Sequence, residues 1–318
     1  MRAANPVPND LRVGPSPSSG TRVGHTDLLH LLVVYLVWGS TYLAMRVAVL
    51  GLPPFLLASL RFATAGTILV CVARLRRDPV PDATQLFGSG LMGMFLLLGG
   101  NGMVVWAEQW ISSGLAALLI GTLPLFTVML EAVGAGQSRP TPRMLGALGL
   151  GFAGLMILLL PDLTRTGHGS QVTLASGAVL LASLSWATGT WLGRRMPTPE
   201  SNLMRSGTMM LVASLALIGV STWLGEPTRV SWEQVPMSAW SALLYLVLAG
   251  SCLGFTSFSH LTRHADPALA ASYAYVNPVV AVLLGAWLLH EPLGWATVCG
   301  ACGIVTSIVW LVRGNTRG

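Results

Sequence analysis

Ten stretches of largely apolar residues follow one another along the chain, separated by short polar connections. A helix crossing the hydrocarbon core of a bilayer needs about 20 such residues, so a chain made of them has few ways to fold in water. The stretches fall near residues 28–50, 54–75, 85–106, 112–132 and 143–161, then near 173–193, 204–224, 237–259, 267–289 and 294–312. Only 9% of the 318 residues are charged, against about 25% in a soluble domain. Too little polar surface remains to cover a globule. The sequence predicts an all-α polytopic membrane protein with ten transmembrane helices.

The formal net charge of +6 raises the question of nucleic acid, and the placement of the charges answers it. All 18 basic residues are arginine. With the N-terminus inside, fourteen of them fall on the cytosolic side: Arg2, Arg12, Arg22, Arg74, Arg76, Arg77, Arg139, Arg143, Arg194, Arg195, Arg205, Arg263, Arg313 and Arg317. Arg165 and Arg229 fall in outer loops, and Arg46 and Arg61 lie inside the first two spans. Positive-inside bias of this size predicts a multi-pass protein of the cell (inner) membrane with both termini cytoplasmic. The arginines then face lipid head groups, and nucleic acid is not an expected partner. Residues 1–27 are rich in Pro, Ser and Gly and read as a disordered cytosolic tail, with a second tail at 313–318.

The absence of lysine excludes further chemistry. A Walker A phosphate loop and a pyridoxal enzyme each need one. Cys299 and Cys302 form a CxxC, but no second pair accompanies it, and the four cysteines read as small packing residues. No metal site is expected, because the six histidines do not cluster with carboxylates. Nor is a catalytic site or a cofactor expected. An intramembrane protease would need a serine–histidine pair at membrane depth, and His30, His260, His264 and His290 all fall near span ends.

The two halves are related. Trp38-Gly39-Ser40-Thr41 followed by Arg46 is echoed by Trp186-Ala187-Thr188-Gly189 followed by Arg194, an offset of 148. Leu115, Ala116, Pro124 and Gly146 match Leu269, Ala270, Pro278 and Gly300 at an offset of 154. A five-helix repeat has an odd number of crossings, so the second copy enters the membrane the other way up. Inverted repeats of this kind hold a substrate near the midplane of secondary transporters. The expected organisation is a first repeat at 28–161, an outer linker at 162–172 and a second repeat at 173–312.

The stretches VWGSTYLAMRVAVLGLPPFLLASLRFATAG (37–66), GNGMVVWAEQWISSGLAALLIGTLPLFT (100–127) and SYAYVNPVVAVLLGAWLLHEPL (272–293) resemble EamA-type members of the drug/metabolite transporter superfamily. The resemblance spans nearly the whole chain and keeps the motif order of both halves. It implies the EamA fold of ten helices in two inverted five-helix repeats, alternating access, and frequently efflux of small metabolites or drugs. The substrates of that superfamily are diverse, so the likeness names no cargo.

Candidate cavity residues come from polar and aromatic groups at mid-span. Pro124 and Pro278 each remove a backbone donor and free the carbonyl four residues earlier, at Ile120 and Ala274. Freed carbonyls in a bilayer need protein or a water-filled cavity to satisfy them. Thr122 and Thr127 flank the first proline, and Tyr273, Tyr275 and Asn277 flank the second. Asn101 lies among glycines in the third span, and Trp38 and Trp186 lie away from the interfacial belt. Ser40, Thr41 and Tyr42 share the helix of Trp38. Static packing, or a proline kink capped by threonine hydroxyls, is the alternative for each of these.

Arg46 and Arg61 are expected toward the outer ends of their spans, where long side chains snorkel. Glu108 lies at matching depth as counter-ion. The expectation is an outer ion-pair gate of Glu108 with Arg46 or Arg61, mirrored by Arg194 inside. Glu131 and Glu291 are candidates for a proton relay, with a solvated loop as the plainer role for Glu291. Gly250 and Gly254 form a GxxxG for helix packing. The function expected is a secondary transporter exporting small organic molecules. The alternatives are a non-transporting membrane scaffold with the same fold or an intramembrane enzyme. Expected partners are a small-molecule substrate and membrane lipid, with a homodimer left open.

Overall fold

The structure, a computed structural model, describes residues 25–134, 169–264, 273–290 and 293–315, with single positions at 142, 146, 149–151, 153, 154, 156 and 157. The described secondary structure is helical throughout. Six helices are long and apolar enough to cross a membrane: α1 (His25–Ala48), α2 (Pro54–Leu75), α3 (Ala83–Ala107), α6 (Gly169–Gly193), α7 (Asn202–Trp223) and α8 (Met237–Thr262). Shorter apolar elements are α4 (Ser113–Ile120), α5 (Leu123–Gly134), α9 (Tyr273–Leu288) and α10 (Trp295–Asn315). α4 and α5 together make one crossing. Most of the expected fifth span, residues 1–24 and 316–318 of the tails, the 162–168 part of the linker, and Arg139, Arg143 and Glu291 lie outside the described residues, as do the side chains of Glu131 and Tyr275, while 25–27 and 313–315 are helical.

The helix starts follow from capping chemistry. Asp82 accepts from the Gln85 amide at 2.8 Å while the Gln85 side chain accepts from the Asp82 amide at 3.3 Å, a reciprocal box that opens α3. The Thr84 hydroxyl, and then that Gln85 amide, hold the Asp82 carboxyl below its ordinary range. Ser112 caps α4 through Leu115 and Ser201 caps α7 through Met204. The start of α2 is capped at long range. Glu226, 5% exposed and just beyond α7, accepts from the amides of Leu56 at 2.8 Å and Phe55 at 3.4 Å. A carboxylate there also complements the helix dipole. Glu226→Ala is expected to lose about 1–2 kcal/mol of stability, read as a lower unfolding midpoint in detergent, with Glu226→Gln losing less.

The centre of the bundle is the pair α2 and α7, whose boundaries are related by the same shift of 148 that relates Trp38 to Trp186. They cross where each carries glycine. A Cβ on Gly66 would lie 3.0 Å from the Gly207 carbonyl, so even a methyl there would push the two backbones apart by a few tenths of an ångström. Ser59 donates to the Ser214 carbonyl at 3.1 Å across the same crossing. Large apolar side chains such as Leu215 (72% exposed) and Trp287 (73% exposed) point outward, as a lipid-facing surface requires.

One expectation is corrected here. Pro124 does not kink a continuous helix. α4 ends at Ile120, and α5 begins at Leu123, so Pro124 is the second residue of a new helix. A missing N–H costs nothing in a first turn, whose amides have no helical partner anyway. Pro278 does sit inside its helix, α9, so the two prolines are not equivalent.

Candidate substrate cavity

Three segments of the bundle are wound as π-helix: Val34–Trp38 in α1, Met94–Gly102 in α3 and Leu246–Leu253 in α8. Such widened turns loosen the backbone ladder and are frequent at functional sites. Each of the three has a carbonyl bonded from another helix. Asn277, with its amide nitrogen turned toward them, donates to the carbonyls of Tyr35 at 3.2 Å and Tyr273 at 3.3 Å. The Ser185 hydroxyl donates to the Phe95 carbonyl at 2.7 Å, and the Trp38 indole donates to the Gly250 carbonyl at 3.1 Å. These tertiary bonds tie α9, α6 and α1 to the irregular turns and satisfy backbone that lipid would not.

Two of the π segments, 34–38 and 94–102, contribute to the wall of a narrow cavity of about 50 Å³. Its wall takes Trp38, Thr41, Tyr42 and Met45 from α1, Arg61 from α2, and Gly100, Asn101 and Val104 from α3. Ile120 and Leu123 come from the broken crossing, and Trp186, Phe255, Tyr273 and Asn277 come from the second half. Trp38 is the hub of the aromatic part. Its ring lies 5.7 Å from Trp186, 5.0 Å from Phe255 and 5.3 Å from Tyr273, all edge to face. Ring edges directed at ring faces are the favoured quadrupole arrangement.

Glycines make room for these side chains. A Cβ on Gly254 would overlap the Trp38 indole, and one on Gly250 would meet Thr41 at 2.9 Å and Arg61 at 3.2 Å. The GxxxG of α8 therefore seats the side chains of α1 and α2 rather than a bare helix backbone.

Arg61 is the cation of the cavity. It is 2% exposed and its donors are taken up by protein groups, so snorkelling, the competing reading, does not describe it. Its Nε donates to the Ser251 hydroxyl at 2.8 Å, and one terminal nitrogen donates to the Asn101 amide oxygen at 3.3 Å and faces the Met45 sulfur at 3.6 Å. Its side chain also folds 4.8 Å above the Phe62 ring. Partners held this close remove the need to reach water.

Glu108 is fully buried at the end of α3. The Arg46 guanidinium donates to its backbone carbonyl, and its carboxylate acts electrostatically on Arg61 and Tyr42. The structure thus brings Arg46, Arg61 and Glu108 into one neighbourhood. Arg194 is exposed at the far end of α6 and belongs to no such cluster with them. At the N-terminal end of α1, a second polar cluster joins α1 to α8. His30 meets the Ser257 hydroxyl at 3.0 Å, its ring lies 4.2 Å from that of His260, and His260 pairs with Asp27 at 3.2 Å.

Of the other residues expected in the cavity, five lie elsewhere. Thr122 turns its hydroxyl to the Leu119 carbonyl at 2.7 Å and to Ser183, and Thr127 bonds the Leu123 carbonyl at 3.0 Å. Both satisfy backbone at the helix break. Ser40 points at the Tyr245 hydroxyl, 2.5 Å away between α1 and α8. Pro124 and Pro278 shape their helices but are not in the wall. Sequence reading missed Met45, Gly100, Val104, Ser251 and Phe255. One signal for two of them was available: LLLGGNG (96–102) aligns with LVLAGSC (246–252) at an offset of 150, pairing Gly100 with Gly250 and Asn101 with Ser251.

A helical bundle of two inverted repeats, enclosing a cavity lined from both, is the architecture of a membrane transporter. The chain belongs to the EamA-like transporter family, whose sequence model matches residues 26–160 and again residues 173–313. It therefore has that family's fold of ten helices in two repeats. It is 36% identical over 286 residues to the uncharacterized inner membrane transporter YedA of Escherichia coli (strain K12), covering 89% of each chain. A WAT1-related chloroplastic protein of Arabidopsis thaliana, At3g02690, is 26% identical over 284 residues, covering 87% of this chain and 67% of that one. The uncharacterized transporter YvbV of Bacillus subtilis (strain 168) is 24% identical over 284 residues, covering 87% and 89%. One solved crystal structure superposes with a TM-score of 0.64 at 20% identity, covering 92% of this chain and 99% of that one.

Proposed function

We propose that this transporter exports small organic solutes from the cytoplasm by alternating access through the Arg61 cavity. The observation that carries the reading is the cavity itself. It is buried, lies between the two repeats, and combines a guanidinium, two amides and two tyrosines with an aromatic wall. Substrate sites are mostly apolar with a few placed polar groups, and this wall has that composition. At about 50 Å³ it is smaller than the roughly 300–1,000 Å³ of a site holding a drug-sized ligand. Cargo entry then requires the repeats to part, as rocking of one repeat against the other would do.

The arginine bias supports cytoplasmic termini and an inner-membrane location. In that orientation Arg46 and Glu108 close the outer end of the cavity, and the His30–Asp27–His260 cluster holds the inner end of α1 against α8. The repeats run over 28–161 and 173–312, with 162–172 as the outer linker. Within the site, Trp38, Thr41, Tyr42, Asn101, Trp186, Tyr273 and Asn277 contact cargo and Glu108 acts on the gate.

The test is a solute-panel counterflow assay on purified protein in liposomes, with and without an imposed pH gradient. Saturable counterflow is the expected result. Flux that never saturates points to a channel, and no flux of any solute points to a scaffold.

A further inference from the structure

The charge in the cavity wall is one-sided. Arg61 is in the wall, while Glu108, the acidic group that acts on it, stands behind the wall. Among the described residues, the hydrogen-bond acceptors at the guanidinium are neutral: a hydroxyl, an amide oxygen and a thioether. A buried cation is stable only when it is paired and its donors are satisfied. The sulfur of Met45, 3.6 Å from a terminal nitrogen, is a weak acceptor that a carboxylate oxygen would outcompete.

Repeat symmetry isolates the same residue. The two posts that hold Arg61, Asn101 and Ser251, are equivalent positions of the π segments in α3 and α8, offset by 150. Arg61 itself has no equivalent. At the shift of 148 that relates α2 to α7, its counterpart is the buried Met209. One guanidinium therefore sits between two symmetry-related posts in a wall whose other lining residues are neutral. The same wall carries the rings of Trp38, Trp186, Phe255 and Tyr273. An arginine fork beside a wall of ring edges and faces fits a molecule with an anionic end and an apolar body.

We propose that the cavity is an organic-carboxylate site, with the cargo's carboxylate on Arg61 and its apolar, preferably aromatic, body against the Trp38 wall. The proposal rests on the carrier reading above and adds to it the class of cargo. Cargo binding then replaces the Met45 contact with a charge-assisted bond and leaves the Asn101 and Ser251 posts in place. Arg61 acts as the residue that sets charge specificity.

The test uses three probes of one shape and different charge at neutral pH: phenylacetate, phenylacetamide and phenethylamine. Binding to the full-length purified protein is measured by calorimetry, and entry by counterflow in liposomes. Phenylacetate is expected to bind about tenfold or more tightly than the amide, with the amine weakest. Arg61→Met should erase the preference, and Arg61→Lys should restore part of it, because an ammonium keeps the charge but not the fork. Should Arg61→Met fail to fold, the wild-type series decides alone: equal binding of the three probes, or binding of none, overturns the proposal. Absent phenylacetate binding alongside saturable counterflow of another solute removes the carboxylate and leaves the carrier. Charge-selective binding without counterflow of any solute does the reverse.

Discussion

Glu108→Gln is expected to be inserted in the membrane and to lose most of its transport. The carboxylate is fully buried and acts on Arg61, while Arg46 holds the backbone carbonyl of the same residue. Neutralising one partner of a buried charge cluster leaves the others uncompensated, at a cost of about 3–5 kcal/mol. The glutamine keeps the shape and the backbone carbonyl, so the Arg46 bond survives and the damage is electrostatic. A lower unfolding midpoint in detergent and at least a tenfold fall in counterflow are the expected readings. A variant with wild-type stability and wild-type counterflow removes Glu108 from the gate.

Trp38→Ala is expected to have an effect of similar size by another route. The indole is 7% exposed, donates to the Gly250 carbonyl, and meets the edges or faces of Trp186, Phe255, Phe258 and Tyr273. Truncating a buried aromatic costs about 3–5 kcal/mol through lost contacts and the space left behind. Here it also orphans a carbonyl of a π-helical turn, which lipid cannot satisfy. Trp38→Phe separates the two causes. It keeps most of the ring but not the N–H, and should cost about 1–3 kcal/mol. A Trp38→Ala protein with an unchanged melting curve would show that the aromatic hub does not hold the two repeats together.

The roles of individual residues were unequally legible. Trp38, Asn101, Trp186, Tyr273 and Asn277 stood out because aromatic and amide groups are costly at mid-span unless something uses them, and all five line one cavity. Thr122, Thr127 and Ser40 looked equivalent on paper, yet a hydroxyl in a helix can satisfy a local carbonyl, and no sequence pattern says which it will do. Pro124 misled because proline removes a donor wherever it stands. Whether that matters depends on whether a helix starts or continues there, and here it starts. The order of the spans puts Arg61 toward the outer end of the second one, where snorkelling competes with an ion pair to Glu108. The structure turns it inward, where Ser251 from 190 residues away meets it.

The amino-acid sequence by itself determined the solvent, the number of crossings and the relation between the halves. Those properties depend on the period and length of apolar runs and on where rare residues recur, and one dimension records both. Only the tertiary structure decided which polar groups meet. Three π-helical turns, 34–38, 94–102 and 246–253, widen the ladder just where Asn277, Ser185 and Trp38 arrive from other helices. A freed carbonyl and its distant donor have no local signature. They form a site because glycines at 250 and 254 leave room for the side chains of α1 and α2. That closeness, and with it the setting of a lone arginine between two repeat-related posts, exists only once the halves are packed together.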